Sequence, residues 1–280
     1  MRRLEQQTVL VTGATDGLGK AVATELARAG AEVLLHCRDD ARGEAALQEI
    51  ASATGNDRLR LYRADFASLA EVRDMAEQIR GAETGLHTLV NNAGVGTTLP
   101  GGGGRMESAD GNELRFQVNY LAHYLLTRML VPLLVTAAPG RIVNVSSAGQ
   151  APIDFDDVML ERRYSGVQAY CQSKLAQVMF TIDLAAELEP RGVTANCLHP
   201  ATYMPTKIVF AARGSAVSTL EEGIEATMRL IADPDLDGTT GRYFNGTSED
   251  AAHPQAYDAD ARRRLRELSD RLAGPRSAAV

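Results

Sequence analysis

The sequence predicts a doubly wound α/β domain, with a mostly parallel central sheet of about seven strands and helices on both faces. Three observations predict it. Strand-like and helix-like runs alternate along nearly the whole chain, the pattern of a parallel sheet covered on both sides. A glycine-rich turn, Thr12-Gly13-Ala14-Thr15-Asp16-Gly17-Leu18-Gly19, stands directly between the first strand and the first helix. Neither a repeat nor an interdomain linker interrupts the 280 residues, a length that suits one large domain over 1–280.

Taken in order, Thr8–Thr12 is an apolar strand, and a helix from Leu18 to Arg28 closes at Gly30. Glu32–His36 is the second strand and Asp40–Ala51 the second helix; Leu59–Arg63 is the third strand. Ser68 followed by Glu71 has the spacing of a capping box and starts a third helix. Leu86–Val90 and Arg141–Val145 read as strands, with a long apolar helix, Asn112–Ala137, between them. Gln168–Leu188 is a further helix, and Thr194–Leu198 the strand after it. Glu221–Ala232 and Asp258–Leu272 are late helices, with a short strand at Arg242–Phe244. The glycine run Gly101–Gly104 and the long connection Ala148–Val167 break the rhythm, and long connections of this kind are often functional loops.

Composition excludes several roles. A formal charge of −7 argues against sequence-independent binding of nucleic acid, which needs a basic surface. The run Arg262, Arg263, Arg264, Arg266 sits among Asp258, Asp260, Glu267 and Asp270 and reads as a solvated helix face. Cys37, Cys171 and Cys197 form no CxxC pair, so no disulfide framework is expected and a reducing compartment is the natural setting. The histidines lack metal-ligand spacing, and no metal is expected. No apolar signal segment precedes the first strand. The apolar stretch Leu125–Val135 is interrupted by Thr127, Arg128 and Pro132 and is too short to span a bilayer. The expectation is a cytoplasmic protein without a membrane anchor.

The chemistry begins at the glycine turn. Glycines there let the backbone turn tightly and approach a pyrophosphate, whose charge sits on the helix N-terminus. The small residues of Asn91-Asn92-Ala93-Gly94, after the fourth strand, likewise allow close backbone approach. Tyr170-Cys171-Gln172-Ser173-Lys174 is a YxxxK motif on a helix, and i, i+4 spacing puts both side chains on one face. Carbonyl reduction needs an acid to protonate the developing alkoxide, and alcohol oxidation needs the same group as a base. A free tyrosine, with a pKa of about 10, is too weakly acidic for that near neutrality. An ammonium about 4 Å away, at an effective dielectric near 20, is worth about 4 kcal/mol. That is enough to bring the phenol down by as much as about three pH units.

These motifs together resemble the short-chain dehydrogenase/reductase family. Its members have a Rossmann-type fold, and their glycine spacing GxxxGxG is that of Gly13, Gly17 and Gly19. The resemblance implies that Gly13, Thr15, Asp16, Gly17, Leu18 and Gly19 hold the dinucleotide, with Asp65-Phe66 at the adenine and Asn92, Ala93 and Gly94 along the ribose. It implies a catalytic set of Asn119, Ser147, Tyr170 and Lys174. Asn119 kinks its helix and helps hold a water chain to the lysine. Ser147 donates to the substrate oxygen, with Ser146 the alternative. Tyr170 is the general acid/base, and Lys174 also holds the nicotinamide ribose. Asn196-Cys197-Leu198-His199-Pro200-Ala201 is similar to the family's NxxxPG segment, with alanine in place of glycine; Pro200 and Thr206 then lie near the nicotinamide.

The second strand ends His36-Cys37-Arg38-Asp39. By resemblance, the acid that selects NAD falls at Cys37, and Arg38 implies NADP(H), its guanidinium gripping the 2′-phosphate. A one-residue slip would bring Asp39 or Asp40 there instead. Val118–Thr127, Ala169–Ala176, Gly241-Arg242-Tyr243-Phe244 and Leu268-Ser269 look like the retinol-dehydrogenase-like branch. The implied reaction is interconversion of a carbonyl and an alcohol by hydride transfer, on a small and apolar substrate. Substrate choice is expected in loops 95–105, 148–167 and 202–219, with Ile208, Val209 and Phe210 a candidate apolar wall. A homo-oligomer paired through the two long helices that carry Asn119 and Tyr170 is a further implication, as is the alternative of a monomer. A non-catalytic dinucleotide sensor is the rival reading; it would need neither Tyr170 nor Ser147. Epimerisation or dehydration would call for a different glycine spacing.

Overall fold

The structure, a computed structural model, describes residues 2–99 and 104–274. Eight strands form one sheet: β1 (Thr8–Val11), β2 (Glu32–Cys37), β3 (Leu59–Arg63), β4 (Thr88–Asn91), β5 (Gly140–Val145), β6 (Val193–His199), β7 (Tyr243–Asn245) and β8 (Ser248–Asp250). Their order is β3-β2-β1-β4-β5-β6-β7-β8. All neighbours pair in parallel except β7 and β8. β8 is the strand the sequence did not reveal. Its residues Ser248, Glu249 and Asp250 are exposed and lack the apolar alternation by which strands are read.

Alternation along the central strands sends side chains to opposite faces, and two cores follow. Leu10, Leu34, Leu89 and Ile142 join one core, with α3 (Leu69–Ala82), α5 (Ala122–Thr136), α6 (Gly166–Leu188) and α9 (Ala259–Ala273). Val9, Val11, Val33, Leu35, Val143 and Val145 join the other, with α1 (Gly17–Arg28), α2 (Asp40–Thr54) and α8 (Leu220–Ala232). The strand order reverses between β1 and β4, so the crevice where open α/β sheets bind ligands lies at the carboxyl ends of these two strands.

The long apolar helix is broken in kind. A short α4 (Leu114–Phe116) leads into a π-helical turn, Gln117–Leu121, and then into α5. As one stretch, Leu114–Thr136 is long and apolar enough to cross a membrane, yet 78% of its most apolar window is buried in the fold. It is a core helix here. Part of its cover is α9: the Tyr120 hydroxyl meets Ser269 Oγ at 2.7 Å, and Tyr124 donates to Asp270 at 2.5 Å. Arg262 and Arg266 both pair with Asp183 of α6, at 2.7 and 3.0 Å. The arginine run is the solvated face expected at Arg263, Arg264 and Arg266, which stay exposed; Arg262 departs from it, mostly covered where it meets Asp183.

Two further expectations change. Loop 202–219 contains a helix, α7 (Lys207–Arg213), N-capped by Thr206. Ser68 does cap α3, accepting from Glu71 N, but Glu71 turns its carboxylate to Asp65 N at 2.9 Å, so the box is not reciprocal. The reciprocal box is Thr219–Glu222, at the start of α8. In loop 95–105, residues 100–103, and so most of the glycine run, lie outside the described residues.

Candidate active site

The glycine turn and the Asn91–Gly94 segment leave β1 and β4 side by side and interlock. A Cβ on Gly13, whose φ is +68°, would lie 2.9 Å from Ala93 Cα, and one on Gly19 would lie 2.3 Å from Gly13 O and 2.4 Å from Asn92 Nδ2. Only glycine fits that contact. Asn92 Nδ2 donates to Thr12 O at 2.8 Å. The Thr12 hydroxyl accepts from Asn92 N and Ala93 N, at 2.8 and 2.9 Å. The N-terminus of α1 therefore opens at the strand-order reversal, the place where open α/β sheets can receive a pyrophosphate. Leu18 is buried beneath it, Thr15 and Gly94 are half-buried, and Gly17 packs against Thr206, whose Cγ2 would lie 3.3 Å from an added Cβ. Pro200 is buried at the end of β6.

Two buried histidines that sequence reasoning missed brace this turn. His36 Nδ1 accepts from Gly13 N at 3.0 Å, and its Nε2 donates to Ala64 O at 3.0 Å. His123 Nδ1 donates to Asn119 O at 2.9 Å, leaving Nε2 to accept from Thr12 Oγ1 at 3.1 Å. Phe66 lies between them, stacked on His36 with centroids 4.2 Å apart and edge-on to His123 at 5.2 Å. Its ring faces inward, so only its backbone is left for an adenine. Burial pushes His36 down to about 4 and His123 down to about 3, and both rings are neutral at pH 7. Asp65 accepts from Ala67 N at 2.9 Å.

At the end of β2, Cys37 is still within the strand and buried. Arg38 is exposed beyond it. Asp39 is engaged as the N-cap of α2, accepting from Arg42 N at 2.9 Å. Asp40 sits 3.8 Å from Arg63. Asp16 carries Lys207 at 2.5 Å and Arg42 at 3.5 Å, and the Lys207 hydrogen bond holds its carboxyl below the usual range.

The four expected catalytic residues converge. Asn119 lies in the π turn, which aims its side chain out of the helix at the loop after β4. It accepts from Val95 N at 2.8 Å and donates to Val95 O at 3.2 Å and to Ser173 Oγ at 3.0 Å. Ser146 is buried and donates to the Lys174 carbonyl at 2.8 Å. Ser147 instead turns its hydroxyl toward Tyr170: it accepts from Gly149 N at 3.0 Å, and a Cβ on Gly149 would lie 3.4 Å from Ser147 Oγ and 3.8 Å from Tyr170 Cε1. Lys174 Nζ stands over the Tyr170 ring, 5.7 Å from its centroid, and donates to Val145 O at 2.9 Å and Gln177 Oε1 at 3.0 Å.

The electrostatics depart from the sequence expectation. Burial pushes the Tyr170 phenol up, against a lowering by Ser147. The ammonium is turned toward Val145 O of β5 and Gln177 of α6 rather than toward the hydroxyl. Burial also pushes Lys174 down to about 7. Gln177, its nearest side-chain partner, is a residue the sequence reading missed; only its place one turn beyond Lys174 could have drawn attention to it.

Residues 7–213 match the family model for short chain dehydrogenase. The chain belongs to the short-chain dehydrogenase/reductase family. Within it, mouse retinol dehydrogenase 13 is 39% identical, the match covering 96% of this chain and 84% of that protein. Human retinol dehydrogenase 12 is 36% identical, over 98% and 88% of the two chains. This family member stands in the retinol-dehydrogenase-like branch and is an NAD(P)-dependent oxidoreductase. Among solved structures, an uncharacterized protein from Mycobacterium paratuberculosis superposes with a TM-score of 0.76 at 31% identity, over 96% of this chain and 93% of that one. A short chain dehydrogenase from Shigella flexneri, complexed with NADP, gives a TM-score of 0.70 at 25% identity, over 86% and 97%.

Proposed function

We propose that this oxidoreductase interconverts an apolar ketone or aldehyde and its alcohol with NADP(H), using Tyr170 as general acid/base. The observation that carries the reading is the convergence of Ser147 and Tyr170, which would both lie within 4 Å of a Cβ on Gly149, with Ser146 diverted into α6. The residues fit a dinucleotide: glycines and Ala93 leave the turn after β1 open, and Lys174 Nζ lies 3.8 Å from where a Cβ on Gly94 would stand. The nicotinamide, when bound, supplies or takes up the hydride. Ser147 donates to the carbonyl oxygen where negative charge develops. Tyr170 gives its proton to that oxygen. Lys174 holds the ribose.

Arg38 free at the end of β2, Arg42 one turn further on and Asp39 engaged as a cap all support NADP(H) over NAD(H). The substrate enters between loops 95–105, 148–167 and 202–219. Ile208 and Tyr203 give that cleft apolar surface. Cys37, Cys171 and Cys197 are free thiols, in keeping with a reducing compartment such as the cytoplasm. With Leu114–Thr136 spent on the core, that helix is no membrane anchor.

The test is NADPH oxidation, followed at 340 nm, across a panel of apolar aldehydes and ketones, with NADH in parallel and Tyr170→Phe as control. Turnover that prefers NADPH and vanishes in the variant, while NADPH still binds, is the expected result. A variant at wild-type rate overturns the role of Tyr170, and equal use of NADH overturns the cofactor preference.

A further inference from the structure

We propose that Arg115 is a positioning residue that sets the width of the substrate cleft, tying the wall Val95–Leu99 to the start of α6 from inside the protein. The inference rests on the carbonyl reading above. Arg115, in α4 just before the π turn, is wholly buried, as is Glu113. Its Nε donates to Gly96 O and its Nη2 to Thr97 O, both at 2.8 Å. Its Nη1 meets Glu113 Oε1 at 3.4 Å and the Tyr164 hydroxyl, which itself donates to Glu113 Oε1 at 3.0 Å. A guanidinium enters a protein interior only when paired and hydrogen-bonded, and this one meets that condition on three separate segments.

Those segments frame the site. The wall begins at Gly94, beside Asn119 and Lys174, and Asn119 holds Val95 by both its N–H and its carbonyl. Its next residue faces α7: a Cβ on Gly96 would lie 2.5 Å from Ile208 Cγ2. Then it touches α6, where a Cβ on Gly166 would lie 2.5 Å from Thr97 O and 3.1 Å from Arg115 Nη2. Tyr170 follows one turn later on that helix. Two carbonyls of the wall, Gly96 and Thr97, are held by Arg115, and the planar fork of a guanidinium suits two acceptors side by side. Because Glu113 neutralises it within the wall, Arg115 fixes the shape of the cleft and leaves its face uncharged, suited to an uncharged carbonyl compound.

The test uses the full chain, NADPH and nonanal, with Arg115→Lys and Tyr164→Phe. NADPH affinity is read by fluorescence, and hydrogen exchange is read over 95–99 and 165–169. Lysine keeps the charge beside Glu113 but brings one nitrogen where the guanidinium brings three. Arg115→Lys is expected to raise KM for nonanal about ten-fold, equivalent to about 1.4 kcal/mol, with kcat and the NADPH Kd changed less than about two-fold and exchange in 95–99 accelerated. Tyr164→Phe moves the same readouts in the same direction, less far, and decides the matter alone if Arg115→Lys does not fold. Unchanged KM and exchange in the folded variants overturn the inference, as does a rise in NADPH Kd in step with KM. If the wild type leaves nonanal untouched, the carbonyl reading fails for that probe and exchange alone decides: unchanged protection of 95–99 still overturns the anchoring role.

Discussion

At the scale of single residues, the site rests on groups whose ionisation burial has changed. His36 and His123 are held neutral, at about 4 and about 3, well below the ordinary histidine value near 6.5. Between those values and about 6.5 the unfolded chain binds protons that the folded chain refuses, so stability rises with pH across that window and is lost as pH falls through it. Urea unfolding from pH 7 down to pH 4 is expected to show the loss, with a shallower slope in His123→Gln. Glutamine can still donate to Asn119 O and accept from Thr12 Oγ1, but does not titrate. A slope identical to wild type would refute the assignment. Neither histidine stood out in the sequence, because a lone histidine in an apolar run looks the same whether it braces a turn or fills space. The same limit left Ser146 standing as the alternative to Ser147: adjacent residues at a strand end point to opposite sides, and only the packed α6 shows which hydroxyl it takes up.

Elements explain how these residues are delivered. The glycine turn and the Asn91–Gly94 segment were legible because both need small residues at fixed places, and glycine is the one residue that leaves such a mark in sequence. Gly19→Ala drives a Cβ into Gly13 O and Asn92 Nδ2, and is expected to weaken NADPH binding at least about ten-fold, or about 1.4 kcal/mol. Gly81→Ala in α3, with open space around its Cβ, should leave Kd alone and add up to about 1 kcal/mol of stability. Titration of both variants by NADPH fluorescence distinguishes steric exclusion from a general intolerance of substitution. The π turn at Gln117–Leu121 was only half legible. Asn119 marked its place, but the turn forms because tertiary contacts to Val95 and Ser173 reward it. α7 escaped notice because Lys207–Arg213 buries no residue and so shows no buried periodic face.

For the whole molecule, α9 is the decisive piece. It lies across the π turn, α5 and α6, with Tyr120, Tyr124 and Asp183 engaged, and these are the helices through which pairing of two copies was expected. A partner cannot reach a face that the chain's own last helix already covers. We therefore expect a monomer near 30.0 kDa by light scattering at micromolar concentration; twice that mass, with cross-links joining α5 of two copies, would contradict this. The sequence showed a helix at Asp258–Leu272 but not where it docks, since amphipathicity reveals that a face is buried and not against what.

By itself, the sequence determined the alternating layers and the glycine turn that opens α1, because these depend on local periodicity or on a residue type at fixed spacing, and by resemblance it placed the candidate catalytic residues in order. Tertiary structure alone decided what depends on distant segments meeting. It turned Lys174 toward Val145 and Gln177, raised Tyr170 by burial, set Arg115 against Gly96, Thr97, Glu113 and Tyr164, and laid α9 over the helix pair. Burial and long-range hydrogen bonds are properties of the packed chain, and no window of neighbouring residues contains them.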